Sequence, residues 1–413
     1  MKRIDGGVTA AQGFLAASCE ANIKYKGRTD MAMVFSAAPC AAAGVFTSNK
    51  VKAAPVLWDR EIVRGSGTAQ AVVVNSGIAN AATGEAGLAL CRAAAEAAGK
   101  ALKIPAEAVL IGSTGVIGPL PPADRLAAGA EKLAASLADT REAGTAASKA
   151  IMTTDTVNKE AAVTFELPAC AGEEPVTVTL GGMSKGSGMI HPNMCTMLAY
   201  LTTDCAIDGN LLQQAVSAVV QDTFNMISVD GDTSTNDTLL VLANGLAGNR
   251  PINEADGSYA LFCEALNAVC RELAIKMAAD GEGATHLIEM RVYNADTKEN
   301  ARTLARSVVS SSLVKAMVFG KDANCGRILC ALGYAGPEFD PAKIELFLDG
   351  KAERVTFYTA GRVQEFDEDR ALAILSEPEV RFSCDMHMGQ EEATAWGCDL
   401  TYDYVKINGD YRS

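Results

Sequence analysis

The chain has 413 residues, 49% of them hydrophobic and only 6% aromatic, which suits two domains or one large layered fold packed with Ala, Val and Leu. A formal net charge of −14 excludes the basic footprint that a general nucleic-acid or anionic-membrane binder requires. No stretch approaches the roughly 18–20 uninterrupted apolar residues of a membrane helix, so no membrane partner is expected either.

At the N-terminus, Met1-Lys2-Arg3 and the segment ending Ala16-Ala17-Ser18-Cys19 faintly imitate a lipoprotein leader. Asp5, the glycines and Gln12 break up any apolar core, so this is not read as a signal. Residues 1–66 alternate short apolar runs such as 31–35 and 43–46 with Gly and polar turns, which predicts strands. A buried strand follows over 69–74, then an Ala- and Leu-rich helix over 84–102 that Pro105 closes. Val109-Leu110-Ile111 is a strand leading into Gly112-Ser113-Thr114-Gly115-Val116-Ile117-Gly118. Helices are predicted near 122–138 and 141–151, and strands near 161–166 and 175–180.

After the Gly-rich stretch 181–188 comes a strand over 197–202, then a helix over 208–224 with Asp208 near its N-cap. Strands at 227–229 and 239–243 flank the polar run 230–237, and a long helix fills 253–279. The remainder reads as strands near 286–293, 316–319, 327–333, 344–348, 354–358, 379–384 and 395–405, with helices at 299–315 and 368–376. Helices and strands mix without strict alternation or an internal repeat. The expected class is therefore a layered α/β protein with helices covering β-sheets, and its best candidate joint is the central Gly-rich stretch.

Twelve cysteines are scattered through apolar sequence without a CxxC pair, and only His191, His286 and His387 accompany them. Zinc spacing is absent and no metal is expected. The thiols read as reduced and buried, in a cytoplasmic protein.

Three features could carry chemistry. The loop 112–118 follows a strand as phosphate loops do, but lacks the endings of the nucleotide-binding motifs. It could aim backbone N–H groups at an anion or an oxyanion, or it could be a tight turn needing positive φ; spacing alone favours the turn. The stretch Gly181-Gly182-Met183-Ser184-Lys185-Gly186-Ser187-Gly188 sets one lysine among four glycines: a carboxylate-binding cation or a mobile surface loop. Thirdly, Thr196 begins an apolar run directly after this segment. It could be an ordinary strand residue, or a nucleophile freed by cleavage before it. A freed α-amine can serve as the base: with a pKa of about 7.7 it is neutral in roughly one molecule of six at pH 7, against about four in ten thousand for an ordinary lysine. The run 230–237 lacks calcium-loop spacing and reads as a hydrogen-bonded turn.

The run Met183-Ser184-Lys185-Gly186-Ser187-Gly188-Met189-Ile190-His191-Pro192-Asn193-Met194-Cys195-Thr196-Met197-Leu198 resembles the self-cleavage signature of the ornithine acetyltransferase (glutamate N-acetyltransferase) family. The resemblance extends from Gly7-Val8-Thr9-Ala10 through Val74–Ala81, Ser113–Gly118, Met152–Thr156, Ser228–Asp237 and Asp280–Thr285 to Tyr404–Asn408. It implies an N-terminal-nucleophile-like sandwich cleaved between Cys195 and Thr196 into an α chain (1–195) and a β chain (196–413), assembled as α2β2.

By the same resemblance Thr196 is the nucleophile, and Thr114 and Gly115 form the oxyanion hole. Thr153 or Thr154, Lys185, Thr196, Glu282, Asn408 and Ser413 bind substrate. The implied reaction is ping-pong transfer of acetyl from N2-acetyl-L-ornithine to L-glutamate in arginine biosynthesis, without a metal or organic cofactor. The family's alternatives remain open here: a member limited to N-acetylornithine, or one that also takes acetyl from acetyl-CoA. An aminopeptidase or amidase on the same scaffold is the rival reading.

Two residues depart from the family pattern. Cys195 stands where Ala is usual, which admits a rival cleavage before the cysteine, and Cys325 stands where an aromatic is common. With an amine as base, His191 is expected to be structural.

Overall fold

The computed structural model describes residues 1–170, 174–191 and 197–410. They form two units, one drawn from 1–186, 193–221 and 233–273, the other from 187–192, 222–232 and 274–413. Neither unit coincides with a predicted chain, since each takes segments from both sides of position 195.

The first unit is organised on a nine-stranded sheet. In spatial order its strands are Lys2–Ile4, Lys159–Leu167, Val176–Lys185, Leu198–Thr203, Thr238–Ala243, Met31–Phe46, Thr68–Asn75 and Val109–Ser113, with Phe14–Cys19 also paired to Met31–Phe46. The predicted strands 31–35 and 43–46 are the two ends of one long strand. Its register against Thr68–Asn75 shifts between Phe35 and Cys40, and Pro39, which has no N–H to give a ladder, sits in that irregularity.

Leu198–Thr203 runs antiparallel to Val176–Lys185, with Leu198 opposite Lys185, and parallel to Thr238–Ala243. All six of its residues are buried, as are those of Thr238–Ala243, so both strands are buried throughout rather than alternating. The helices Ala54–Gly65 and Gly84–Leu102 pack on Val109–Ser113, Arg141–Ala150 packs on Phe14–Cys19, and Gly209–Val219 packs on Met31–Phe46. Asp208 is the N-cap of the last of these, as its spacing predicts, and accepts from the N–H groups of Asn210 and Leu211.

In the second unit a seven-stranded sheet runs Ile227–Ser228, Glu391–Cys398, Leu287–Ala295, Glu379–Asp385, Glu345–Asp349, Arg354–Thr359, Arg362–Val363. Helix Lys298–Ser310 covers its middle with Ala301, Leu304, Ala305, Val308 and Val309, a buried stripe at helical spacing.

Several sequence expectations are corrected. Within 1–66 the segment Ala54–Gly65 is a helix, begun by Pro55 in its first turn, where a missing N–H costs nothing. The apolar runs 316–319 and 327–333 belong to helices Ser312–Phe319 and Cys325–Gly333, because short apolar runs have no period that separates strand from helix. The helix expected over 299–315 breaks at Ser311, whose hydroxyl caps the second piece by accepting from Val314 N–H. The strand expected over 395–405 ends at Cys398, and Thr401 then caps the helix Tyr402–Gly409.

Residues 181–185, open to reading as a mobile loop, lie in the buried end of strand Val176–Lys185. A Cβ on Gly181 would run into the carbonyl oxygen of Gly7, and one on Gly182 would lie 2.8 Å from Leu201 Cγ, so these glycines serve close packing. Eleven cysteines are described, all free, but Cys170 and Cys330 are exposed rather than buried, and Cys195 lies outside the described residues. Among the described residues no helix is long and apolar enough to cross a membrane.

Gly181→Ala is expected to cost about 1–3 kcal/mol, the usual range for overpacking. Urea unfolding at unchanged midpoint would show that the strand can give way to a methyl group.

Candidate active site

In the first unit, the strand Val109–Ser113 delivers Thr114 and Gly115. Gly115 has φ +125°, and a Cβ there would collide with the backbone of Gly77. Thr114 N–H donates to Asn75 O at 3.0 Å and Val116 N–H to Gly77 O at 3.1 Å. The loop is thus the positive-φ turn that spacing favoured. It also leaves two donors, the Thr114 hydroxyl and Gly115 N–H, that meet no acceptor among the described residues.

Lys185 closes its strand as a buried cation. Its Nζ donates to Thr153 Oγ1 at 2.9 Å and to Thr114 Oγ1 at 3.4 Å, and lies 3.9 Å from Asp155 Oδ2. Because the ammonium is donor only, Thr114 Oγ1 receives from it and keeps its own proton to give elsewhere. Thr154 is half-buried beside Thr153.

The anchor of this cluster was not singled out from the sequence. Asp155 accepts from Lys159 Nζ and Gly186 N–H, both at 2.7 Å, and from Thr153 N–H at 3.1 Å. Asp155 and Lys159 have no side-chain exposure at all. Burial alone would raise the Asp155 carboxyl, but Lys185 and Lys159 outweigh it and, with the hydrogen bonds, hold it at about 2. Asp155 lies inside the quoted run Met152–Thr156, and its spacing to Lys159 was the one available signal.

In the second unit, Glu282 is buried, with its N–H donating to Ser187 O at 2.8 Å and Oε2 accepting from Asn408 Nδ2 at 2.7 Å. A Cβ on Gly188 would collide with this carboxylate, so glycine is what lets the chain pass it. Asp230 accepts from Met189 N–H at 2.6 Å, Ile190 N–H at 2.9 Å and Tyr404 Oη at 3.2 Å. The first part of the polar run 230–237 is thus a hydrogen-bonded turn, with Gly231 and Asp232 exposed. The anchoring roles of Asp230 and Tyr404 had no signal beyond their place in quoted motifs.

His191 Nδ1 lies 3.0 Å from Ser228 Oγ, and its Nε2 lies 3.3 Å from Arg306. Burial first and Arg306 second push its pKa down to about 4, so it is neutral at pH 7 and held in a structural network. Glu345, Asp385 and His387 are close enough to offer metal ligands, but the imidazole spans the two carboxylates, Nε2 at 3.1 Å from Glu345 and Nδ1 at 3.5 Å from Asp385. Cys195, Thr196 and Ser413 lie outside the described residues. The described chain resumes at Met197, whose carbonyl accepts from Thr238 N–H at 2.9 Å.

A family model described as the ArgJ family matches residues 15–413. The arginine biosynthesis bifunctional protein ArgJ of Symbiobacterium thermophilum is 52% identical, with 100% of each chain covered. The protein of the same description from Thermotoga neapolitana is 48% identical over 97% of this chain and 99% of its own. Among solved structures, a crystal structure of the ArgJ protein of Bacillus halodurans is 43% identical, covering 51% of this chain and 97% of that one, at a TM-score of 0.49.

Asp155→Asn removes the counter-charge of a fully buried lysine and is expected to destabilise the protein by about 3–5 kcal/mol at pH 7. The folded Asp155 pKa of about 2 lies below the ordinary aspartate value of 3.8, so its stabilisation is complete above that value and drains away as pH falls through about 2. Urea unfolding from pH 7 to pH 2 should therefore show the gap between wild type and variant closing at the acid end. A gap that stays constant with pH would refute the assignment.

Proposed function

This chain belongs to the ArgJ family, and from that premise we infer that it is a self-processed acetyltransferase of arginine biosynthesis, moving acetyl from N2-acetyl-L-ornithine to L-glutamate. The observation that carries this reading is the family match over residues 15–413.

The peptide bond between Cys195 and Thr196 is cut, leaving Thr196 as a new N-terminus whose α-amine is the general base. Thr196 Oγ loses its proton to that amine and attacks the acetyl carbonyl. A C–O bond forms, the amide C–N bond breaks, and the proton passes to the departing ornithine amine. Glutamate then attacks the acetyl ester through its own α-amine and restores the threonine.

The negative oxygen formed in each addition is held by the Thr114 hydroxyl and Gly115 N–H. Two features support this: Thr114 Oγ1 already receives from Lys185, and neither donor is spent within the described residues. Lys185, with Thr153, Thr154 and Ser413, receives the substrate carboxylate, while Glu282, steadied by Asn408, accepts from ornithine's cationic side chain. The amine as base and the oxyanion donors supply the catalytic groups, so the reaction calls for no metal or organic cofactor. The protein is proposed to work in the cytoplasm as an α2β2 assembly, with acetyl-CoA as a second donor to glutamate.

Strands Leu198–Thr203 and Thr238–Ala243 would belong to the β chain, yet they lie between Val176–Lys185 and Met31–Phe46 of the α chain. Ladder hydrogen bonds on both flanks would hold the cut pieces together.

Three measurements test this. Active protein should show two bands on a denaturing gel yet elute as one species under native conditions; one uncut band of 43.0 kDa would sink the proposal. Thr196→Ala should remain uncut and inactive. Thr114→Ala should lower kcat per cleaved chain by about 10²–10³-fold, the usual cost of one oxyanion donor. Release of free acetate in place of acetyl-glutamate would favour the amidase reading, and transfer from acetyl-CoA to glutamate would identify the bifunctional form.

A further inference from the structure

The strand Val109–Ser113 that carries the Thr114–Gly115 loop lies at one end of the nine-stranded sheet, paired only with Thr68–Asn75. An edge strand presents alternate N–H and C=O groups that need partners when buried. Here they are met by two consecutive side chains of helix Ala54–Gly65: Trp58 Nε1–H donates to Val109 O at 3.0 Å, and Asp59 Oδ1 accepts from Ile111 N–H at 2.8 Å. A helix thus stands in for a missing strand at residues 109 and 111, the second of them just ahead of Gly112.

Asp59 is an unusual choice for that position. It is fully buried, and its Oδ2 has no hydrogen-bond partner among the described residues. Burial pushes its carboxyl well above the usual range despite the hydrogen bond from Ile111. The Tyr200 hydroxyl is likewise buried and without a hydrogen-bond partner among the described residues, and it fills the space a Cβ on Gly112 would need. Tyr200 belongs to Leu198–Thr203, the strand that follows position 196. The strand leading to Thr114 is therefore gripped from the helix side at residues 109 and 111, and at residue 112 by the strand leading from Thr196.

We propose that Asp59 is a positioning residue for acetyl transfer: by holding Ile111 N–H it fixes the height of the edge strand and so the aim of the Thr114 hydroxyl and Gly115 N–H. This rests on the oxyanion reading of Thr114 and Gly115. Oxyanion donors work only when their distance to the developing charge is set in advance, so a small slip of the strand weakens the transition state more than substrate binding. An acceptor is what the position requires, not a charge.

The test is steady-state kinetics of acetyl transfer from N-acetylornithine to glutamate, per cleaved chain as read on a denaturing gel. Asp59→Ala should lower kcat about tenfold while both KM values stay within about twofold. Asp59→Asn, which keeps a neutral acceptor for Ile111 N–H, should restore kcat to within about twofold of wild type. Should the alanine variant not fold, Asp59→Ser should show the same kcat loss in milder form.

Wild-type kcat in a folded Ala or Ser variant, or a loss carried entirely by KM, would overturn the proposal. So would an Asn variant as impaired as Ala. A Thr114→Ala enzyme with undiminished kcat would instead remove the oxyanion reading on which the proposal stands.

Discussion

A single buried carboxylate holds together the hydrogen-bonded cluster of Lys185, Thr153 and Gly186 in the first unit. Asp155 faces Lys159 and Lys185, receives Gly186 N–H, and also fixes Thr153 through its backbone. One carboxylate thus faces two ammonium groups in a chain whose overall charge is −14. Lys185, paired in this way, is not an isolated buried charge. It also sets the direction of the Thr114 hydroxyl, because a lysine can only donate. The orientation of the Thr114 hydroxyl thus follows from the salt-bridge network that holds Lys185.

The sheet supplies the second constraint. The Thr114–Gly115 loop, Lys185 and the strand Leu198–Thr203 all belong to or leave one sheet, and the register puts Leu198 opposite Lys185. Glycine at 181 and 182 lets that part of the sheet close against its neighbours, and glycine at 115 permits a turn no other residue would adopt without strain. At 188, glycine leaves space for the Glu282 carboxylate. The Gly-rich composition that looked like flexibility is therefore spent on close packing.

How much of this was legible depended on what each residue does. Strongly patterned elements such as Gly84–Leu102 and Glu368–Leu375 follow from periodicity and caps. The helices at 312–319 and 325–333 were misread because four to seven apolar residues carry no period. The substrate-site and oxyanion candidates came from family resemblance, and Lys185, Thr153 and Thr114 meet in one hydrogen-bonded cluster. Asp155 and Asp59 were passed over for a physical reason. A buried acid is informative only through its surroundings, and those are assembled from segments up to tens of residues away.

The interleaving of strands from both sides of position 195 bears on the timing of biosynthesis. Residues 1–195 alone would leave Val176–Lys185 and Met31–Phe46 as two open sheet edges, with the gap between them unfilled. Residues 196–413 alone would hold two fully buried strands without flanking partners. Neither piece is an independent folding unit, so the uncut chain is the species that must fold. If the nucleophile is exposed only by a cut made within the folded sheet, a misfolded or unfinished chain carries no reactive amine. Catalytic competence then becomes a by-product of correct folding, and the newly made protein passes through an inert stage before it can act on a metabolite.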